Sequence, residues 1–332
     1  MKILVIGNNY DSCTGDISEE KEICEAMSAI GNKAIFVDRD KWRELNDEEF
    51  DIIFVAKYVK NNSEAVVEMK KKFSGKVVYW MPDHCPFLGK DSVWDKVFEN
   101  VDVWLGRDLD EVLMSNINKL DGNYHYWNFD VACNLFKKED PGQIHLFAPQ
   151  TKFPEVTSVL FVGNWIHEPQ RMIFLHKVQK AYPDEMYVAS YTMNEYIGGQ
   201  FNGKESEYKL HNVCHPLFGS NFNKLIGITK INISIDWVNM RGFWSPRTAR
   251  IMAAGGFVIA KYVEGMEETF GDSGENLVYC HSVKECIDLI KYYLENEEER
   301  KAIAERGYNF VNKNMRPEKR VGELITYLKN NL

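Results

Sequence analysis

The chain has 332 residues, of which 45% are hydrophobic and 27% are charged, and its formal net charge is −9. This length predicts two domains, and the composition excludes a mainly disordered chain. The negative charge argues against a surface that coats nucleic acid, although it leaves room for a local basic cleft. The seven cysteines form no C-x-x-C pair, and no apolar run reaches the roughly 18 residues of a membrane span. We therefore expect a soluble cytoplasmic protein.

The first half of the chain alternates between short apolar runs and helical patterns. The runs typical of buried strands are KILVIG (2–7), KAIFVD (33–38), DIIFVAKY (51–58), KVVYWM (76–81), VDVWLG (101–106) and YHYW (124–127). Helical patterns occupy 18–31, 63–73 and 108–118. This alternation predicts a parallel sheet with right-handed crossovers.

A proline-containing stretch at 137–158 interrupts this pattern and is the best candidate for a linker. Beyond it, strands are predicted at 159–164, 185–190, 230–236, 256–262 and 276–280, and helices at 168–182, 245–255, 282–295, 297–313 and 316–330. We predict an α/β protein with an N-terminal domain over 1–145 and a C-terminal domain over 155–315, both doubly wound. The last helix, 316–332, can pack back on the first domain. Because ligands bind at the carboxyl ends of strands in such sheets, the predicted site is the cleft between the domains.

Several common enzyme motifs are absent from the sequence. The first strand leads into GNNYDSCTG, which lacks the G-x-G-x-x-G pattern of dinucleotide sites, and there is no Walker loop. The chain also has no G-x-S-x-G elbow and neither an H-E-x-x-H motif nor a cysteine and histidine cluster for a metal. These absences argue against a nicotinamide enzyme, a P-loop enzyme, an α/β-hydrolase and a metalloenzyme.

The segment SPRTAR at 245–250 is the main candidate for an anion site. Ser245 stands at an N-cap position, Pro246 at the first helical position and Arg247 in the first turn. Cations at a helix N-terminus oppose the helix dipole, so Arg247 and Arg250 either point into solvent or face an anion. An arginine beside the free amides of a helix start is suited to a diphosphate.

Other polar residues follow predicted strands of the second half. Gly163 and Asn164 end one strand, with Arg171 in the helix that follows, and Glu264 and Gly265 follow a later strand. A carboxylate at a strand end suits the hydroxyls of a ribose. The alternative interpretation is structural, with Asn164 closing a turn and Glu264 lying in a surface loop.

On the N-terminal side, Asp83 and His84 follow a predicted strand in YWMPDHCPF. An aspartate and histidine pair at this edge can supply a general base for an acceptor hydroxyl, whereas the alternative is a capped turn with a packed histidine. Asn8–Asn9 and 107–111 are weaker candidates for the same edge. The basic clusters at 68–76 and 312–320 are interpreted as solvated helix faces, or else as a rim for a polyanionic acceptor.

The sequence from HPLFG at 215 to GYNFV at 307–311 resembles the C-terminal domain of group 1 glycosyltransferases, and within them the branch of the CgeB spore-maturation proteins. That branch reads S-x-R-x-x-E-A-x-A-C-G-G-F, then E-G-L-E-E-x-F, then E-x-R-x-x-x-A-x-x-G. The positions that fit are Ser245, Arg247, Gly255, Gly256, Phe257, Glu264, Gly265, Glu267, Glu268, Phe270, Glu299 and Gly307. LFVGNW with Arg171 is also similar to the F-V-G-N stretch of that branch. The chain departs from the pattern at Arg250, where the family has a donor-contacting glutamate, and at Gly242, eight residues earlier.

The resemblance implies the GT-B fold, in which two Rossmann-like domains face a central cleft. It implies a hexosyl- or pentosyltransferase that uses a nucleoside diphosphate sugar, most simply a UDP-sugar, without a metal or another cofactor. On this interpretation the donor-binding residues are Gly163, Asn164, Arg171, Ser245, Arg247, Arg250, Glu264 and Gly265, and the catalytic residues are Asp83, His84 and Arg247. The acceptor is a saccharide, a protein or a small molecule, and whether the enzyme retains or inverts stays open.

Two alternatives to this function remain. Phage DNA glucosyltransferases share the fold, and VVYWMPDHCPF is similar to a stretch of their acceptor domain, so a hydroxymethylated DNA base is an alternative acceptor. The net charge of −9 disfavours a nucleic-acid partner. Because both family glutamates are missing, a non-catalytic, spore-coat-like protein with the same fold is the second alternative.

Overall fold

The computed structural model describes residues 1–9, 18–46, 48–56, 62–81, 97, 99–106, 125–129, 131–132, 134–140, 157–163, 169–190, 210, 212–214, 219–236 and 241–332. The chain divides into two compact units. The first unit comprises Met1–Asn134, Met240–Phe243 and Asn314–Leu332, and the second comprises Leu135–Asn239 and Trp244–Lys313.

A six-stranded parallel sheet forms the centre of the first unit. Its strands are β1 (Lys2–Gly7), β2 (Lys33–Asp38), β3 (Glu49–Ala56), β4 (Ser74–Trp80), β5 (Val103–Gly106) and β6 (His125–Asn128). They are arranged in the order β2-β1-β3-β4-β5-β6, and every neighbouring pair is parallel. The apolar runs that form β1, β3, β4 and β5 are largely buried, as is typical of a parallel sheet covered by helices.

Three α-helices of the first unit have their bounds within the described residues, and they are α1 (Glu19–Ala29), α2 (Asn62–Lys72) and the final helix of the chain (Pro317–Asn331). Ser18 caps α1, since its side chain accepts a hydrogen bond from the backbone N–H of Lys21 at 3.1 Å. The final helix packs against α1 and contributes Val321, Leu324, Ile325 and Leu328 to the core formed by β1 and β3. The C-terminal end of the chain therefore belongs to the first unit.

A second six-stranded parallel sheet forms the centre of the second unit. Its strands are β7 (Thr157–Val162), β8 (Met186–Ala189), β9 (Val213–Cys214), β10 (Thr229–Ser234), β11 (Val258–Lys261) and β12 (Val278–Cys280). The strand order is β12-β11-β10-β7-β8-β9, again with parallel pairs throughout. The described helices are α3 (Pro169–Ala181), α4 (Gly219–Ile228), α5 (Pro246–Ala253), α6 (Met266–Phe270), α7 (Val283–Glu295) and α8 (Glu297–Asn314); the final helix, Pro317–Asn331, is α9.

The α/β class and the doubly wound architecture predicted from the sequence are confirmed. The prediction lacks β9, α4 and α6 in the second unit and a 3-10 helix at Trp42–Glu44 in the first unit. β9 has two residues and α6 has five, so neither is long enough for a periodic pattern. The predicted helix at 108–118 lies outside the described residues. Among the described residues, no helix combines the length and the hydrophobicity needed to cross a bilayer.

Gly307 on α8 tests the packing of the second unit. A glycine inside a helix normally costs about 0.5–1 kcal/mol relative to alanine, but a Cβ at Gly307 would lie 2.4 Å from the carbonyl oxygen of Asn276. We expect Gly307→Ala to lower the free energy of unfolding by about 1–3 kcal/mol, because this backbone oxygen cannot move aside cheaply. Gly322 on α9 is the matched control, since a Cβ there would have no atom of the described residues within 4 Å. Gly322→Ala should raise the melting temperature, and equal stabilisation by both substitutions would contradict the packing described here.

Candidate functional site

The second sheet has a topological switch point between β7 and β10. From β7 the chain continues to β8 on one side of the sheet, and it returns later to β10 on the other side. In open parallel sheets, ligands bind outside the carboxyl ends of the strands at such a point. Gly163 follows β7, and Ile235 and Asp236 follow β10. These residues therefore mark the predicted ligand crevice of this unit.

The first turn of α5 places Arg247 at this crevice. Ser245 is the N-cap, Pro246 is the first helical residue, and the Ser245 hydroxyl accepts a hydrogen bond from the backbone N–H of Arg247 at 3.3 Å. The Arg247 Nη1 donates a hydrogen bond to the carbonyl oxygen of Ile235 at 3.1 Å. Its guanidinium carbon lies 4.9 Å from the ring centroid of Phe161 on β7. Arg247 thus contacts the carboxyl ends of both strands at the switch point.

Gly163 makes room for this guanidinium. Its φ is +145°, a backbone conformation that favours glycine. A Cβ at this position would lie 2.6 Å from Nη2 of Arg247 and 2.8 Å from Cζ and Nε. Any larger side chain would therefore displace Arg247 from its position beside β7.

Besides burial, two further arginines, Arg171 and Arg250, lower the pKa of Arg247. Arg171 is a buried residue in the first turn of α3, and Arg250 lies on α5 with its guanidinium carbon 5.0 Å from the ring centroid of Phe136. Burial, reinforced by the positive charges of Arg171 and Arg250 and opposed by the carboxylate of Asp236, lowers the pKa of Arg247 to about 9. The side chain therefore stays cationic at neutral pH, and three positive charges are concentrated near the switch point.

Asp236 is a site residue that the sequence analysis did not identify. It is 8% exposed, and its Oδ1 accepts a hydrogen bond from the backbone N–H of Ser245 at 3.0 Å. Together with the Ile235 carbonyl, it links the end of β10 to the start of α5. The only signal in the sequence was an acidic residue at the end of the stretch INISID.

Glu264 and Gly265 follow β11, the strand next to β10. Gly265 has a φ of +87° and is the N-cap of α6, while Glu264 is exposed. Nearby, the Tyr262 hydroxyl donates a hydrogen bond to Oε1 of Glu267 at 3.1 Å. These residues lie on the same edge of the sheet as Arg247, one strand further along.

The remaining candidate site residues fall into two groups. Asn164, Asp83, His84 and the segment 107–111 lie outside the described residues. Asn8 and Asn9 follow β1, and the carbonyl oxygen of Asn9 accepts a hydrogen bond from the backbone N–H of Ser18 at 3.4 Å. They therefore contact the N-terminal end of α1. Within the part of the chain that the structure describes, no group of three or more histidine, cysteine, aspartate and glutamate side chains could hold a metal ion.

Comparison with known proteins identifies the fold and a matching family segment. Residues 174–326, a little under half of the chain, match the family model described as glycosyl transferase-like. Three solved structures are similar at 11% sequence identity each. Sucrose-phosphate synthase from Thermosynechococcus elongatus has a TM-score of 0.67, with 99% of each chain covered. HepE from Anabaena, in complex with UDP and glucose, has a TM-score of 0.65, with 99% of this chain and 100% of that chain covered.

The third structure is an alpha-glucosyltransferase in complex with UDP and a 13-mer DNA that contains an HMU base. It has a TM-score of 0.69, with 99% of each chain covered. No curated protein matches the chain in sequence. At 11% identity these structures show the fold of the chain, and they specify neither a donor nor an acceptor. The chain has the GT-B fold, and its segment 174–326 is glycosyl transferase-like in sequence.

Proposed function

We propose that the protein transfers a sugar from a nucleoside diphosphate sugar to an acceptor hydroxyl. The observation that carries the proposal is the position of the Arg247 guanidinium at the carboxyl ends of β7 and β10. The positive charges of Arg171 and Arg250 add to the charge of Arg247 at this place. Helix N-termini and arginines at such a switch point are suited to phosphate groups. The glycosyl transferase-like match of residues 174–326 supports the same assignment.

The balance of charge supports a diphosphate in particular. Arg171, Arg247 and Arg250 bring three positive charges, and Asp236 brings one negative charge, which leaves an excess of two among these described residues. Each phosphate of a diphosphate linked at both ends carries about one negative charge. The donor diphosphate would therefore neutralise the repulsion between the arginines.

In the proposed reaction, the bond between the sugar carbon and the diphosphate oxygen breaks, and the electron pair stays on the diphosphate. Arg247 would stabilise this developing charge, because a fixed cation in a partly buried site needs no reorganisation as the charge forms. The acceptor oxygen bonds to the sugar carbon, and its proton passes to a general base. Asp83 and His84 stay our predicted candidates for this base, and Asn164, Glu264 and Gly265 stay predicted donor-binding residues.

UDP is the first donor nucleotide to test, because solved neighbours were determined with UDP or with UDP and glucose. Glucose in one of those complexes favours a hexosyl group. For the acceptor we favour a saccharide, a protein or a small molecule, since the net charge is −9. A DNA base is the second candidate, because one neighbour was determined with DNA. Independence of metals, a cytoplasmic location and membership of the CgeB-like branch stay predictions.

The experiment is a thermal-shift screen with UDP-, GDP-, dTDP- and CMP-sugars. A ligand at a hundredfold excess over its Kd stabilises the folded state by about 2.7 kcal/mol, which gives a clear shift. We expect UDP-sugars to raise the melting temperature and to be hydrolysed slowly without an acceptor. The hydrolysis assay is run with and without EDTA, and the rate should be the same in both if the enzyme needs no metal. Binding without any hydrolysis or transfer would favour the non-catalytic alternative, and no binding of any donor would contradict the proposal.

A further inference from the structure

Asp236 lies after β10 and contacts the start of α5, the helix that carries Arg247. It directly follows Ile235, whose carbonyl oxygen accepts the Arg247 Nη1 hydrogen bond at 3.1 Å. Its own Oδ1 accepts the Ser245 N–H hydrogen bond at 3.0 Å, just before the first turn of α5. Two consecutive residues after β10 therefore hold the N-cap and the guanidinium of the same helix start.

The burial of Asp236 needs an explanation. Burying a carboxylate is costly unless it is paired with charge and hydrogen-bonded. The Ser245 N–H is a neutral donor that an asparagine or a serine could also satisfy. Burial and the positive charges of Arg171 and Arg250 lower the pKa of Arg247, whereas the negative charge of Asp236 raises it. The charge of Asp236 thus has an electrostatic role that its hydrogen bond does not require.

We propose that Asp236 is a positioning residue for the donor phosphates, because it holds the start of α5 against β10 and offsets the repulsion that would drive Arg247 out of the crevice. This inference rests on the proposed function, since it assigns a role in donor binding. Asp236 is not proposed as a ligand of the phosphates, because its carboxylate would repel them.

The test is a double-mutant cycle with UDP as the probe, in which Kd is measured by calorimetry. Asp236→Asn keeps an oxygen for the Ser245 N–H and removes the charge. We expect it to weaken UDP binding about tenfold in the wild-type background. In an Arg247→Ala background we expect less than about a twofold change, because the residue that Asp236 positions is absent.

Each other outcome has a definite meaning. An unchanged Kd, tighter binding, or an equal loss in both backgrounds overturns the inference, since each shows that Asp236 does not act through Arg247. UDP binding that depends on Arg247 but not on Asp236 overturns this inference alone. If the wild-type protein binds neither UDP nor any donor of the thermal-shift screen, the proposed function fails together with this inference.

Melting temperatures show whether Asp236→Asn is folded. Should it not fold, Asp236→Glu and Asp236→Ala are compared. The glutamate keeps the charge and should retain more UDP affinity than the alanine, and an equal loss in two folded variants overturns the inference.

Discussion

Arg247→Ala should lower the rate of sugar transfer by about a hundredfold while leaving the protein folded. Removing one preorganised donor to a developing negative charge typically costs about 2.7–4 kcal/mol of transition-state stabilisation. Arg247 is suited to this role because the ends of both β7 and β10 fix its guanidinium. The measurement is kcat and KM for the UDP-sugar, with the melting temperature of each variant.

Two further variants show whether the lower transfer rate of Arg247→Ala is specific to the charge and shape of this side chain. Arg247→Lys should recover only part of the rate, because lysine keeps the charge but cannot offer the planar fork of donors. Arg43→Ala is the matched control for removal of an arginine, since Arg43 is exposed in the first unit and pairs with Glu68 at 2.8 Å. Such a surface pair contributes little to stability, so this variant should transfer sugar normally. Wild-type kinetics in folded Arg247→Ala protein would exclude Arg247 from catalysis.

Every strand except the two-residue β9 could be predicted, because each of the others has a local signal in the sequence. KILVIG is a continuous apolar run that forms the buried parallel strand β1, and INIS, in which isoleucine alternates with polar residues, lies in the largely buried parallel strand β10. The order of the strands had no such signal, because it depends on contacts between residues distant in sequence. The neighbouring position of β7 and β10, which defines the crevice, became apparent only in the structure.

The same distinction applies to the site. The start of α5 could be predicted, because the preference of serine for the N-cap and of proline for the first helical position depend only on local sequence. Both predictions are confirmed at Ser245 and Pro246. The role of Asp236 could not be predicted, because its partner Ser245 lies nine residues further along the chain. Asp83 and His84 stay predictions, since they lie outside the described residues.

Gly163→Ala should weaken UDP binding and slow transfer, although it removes no polar group. The new methyl carbon would lie 2.6 Å from Nη2 and 2.8 Å from Cζ of Arg247. The guanidinium is the end of a flexible side chain, so it would move away rather than the strand. A displacement of about 1 Å of a positioned group can cost up to about a hundredfold in rate, and we expect a loss between about tenfold and a hundredfold.

A matched control separates this displacement from backbone strain. The φ of Gly163 is +145°, so alanine there also carries a strain of about 1–3 kcal/mol. Gly274 in the same unit has a φ of +90°, and a Cβ at that position would meet none of the described atoms within 4 Å. Gly274→Ala should therefore lower the melting temperature through strain alone, and it should leave UDP affinity and transfer near those of the wild type.

The last comparison places Gly163→Ala in the Arg247→Ala background. In this background the alanine methyl group has no guanidinium to displace, so Gly163→Ala should add little to the loss of UDP affinity. If the two substitutions acted independently, their free-energy effects would add. Kd for UDP is measured for the two single variants and the double variant. A full additional loss in the double variant would show that Gly163 acts on the donor directly, by allowing the backbone after β7 to approach it, rather than through Arg247.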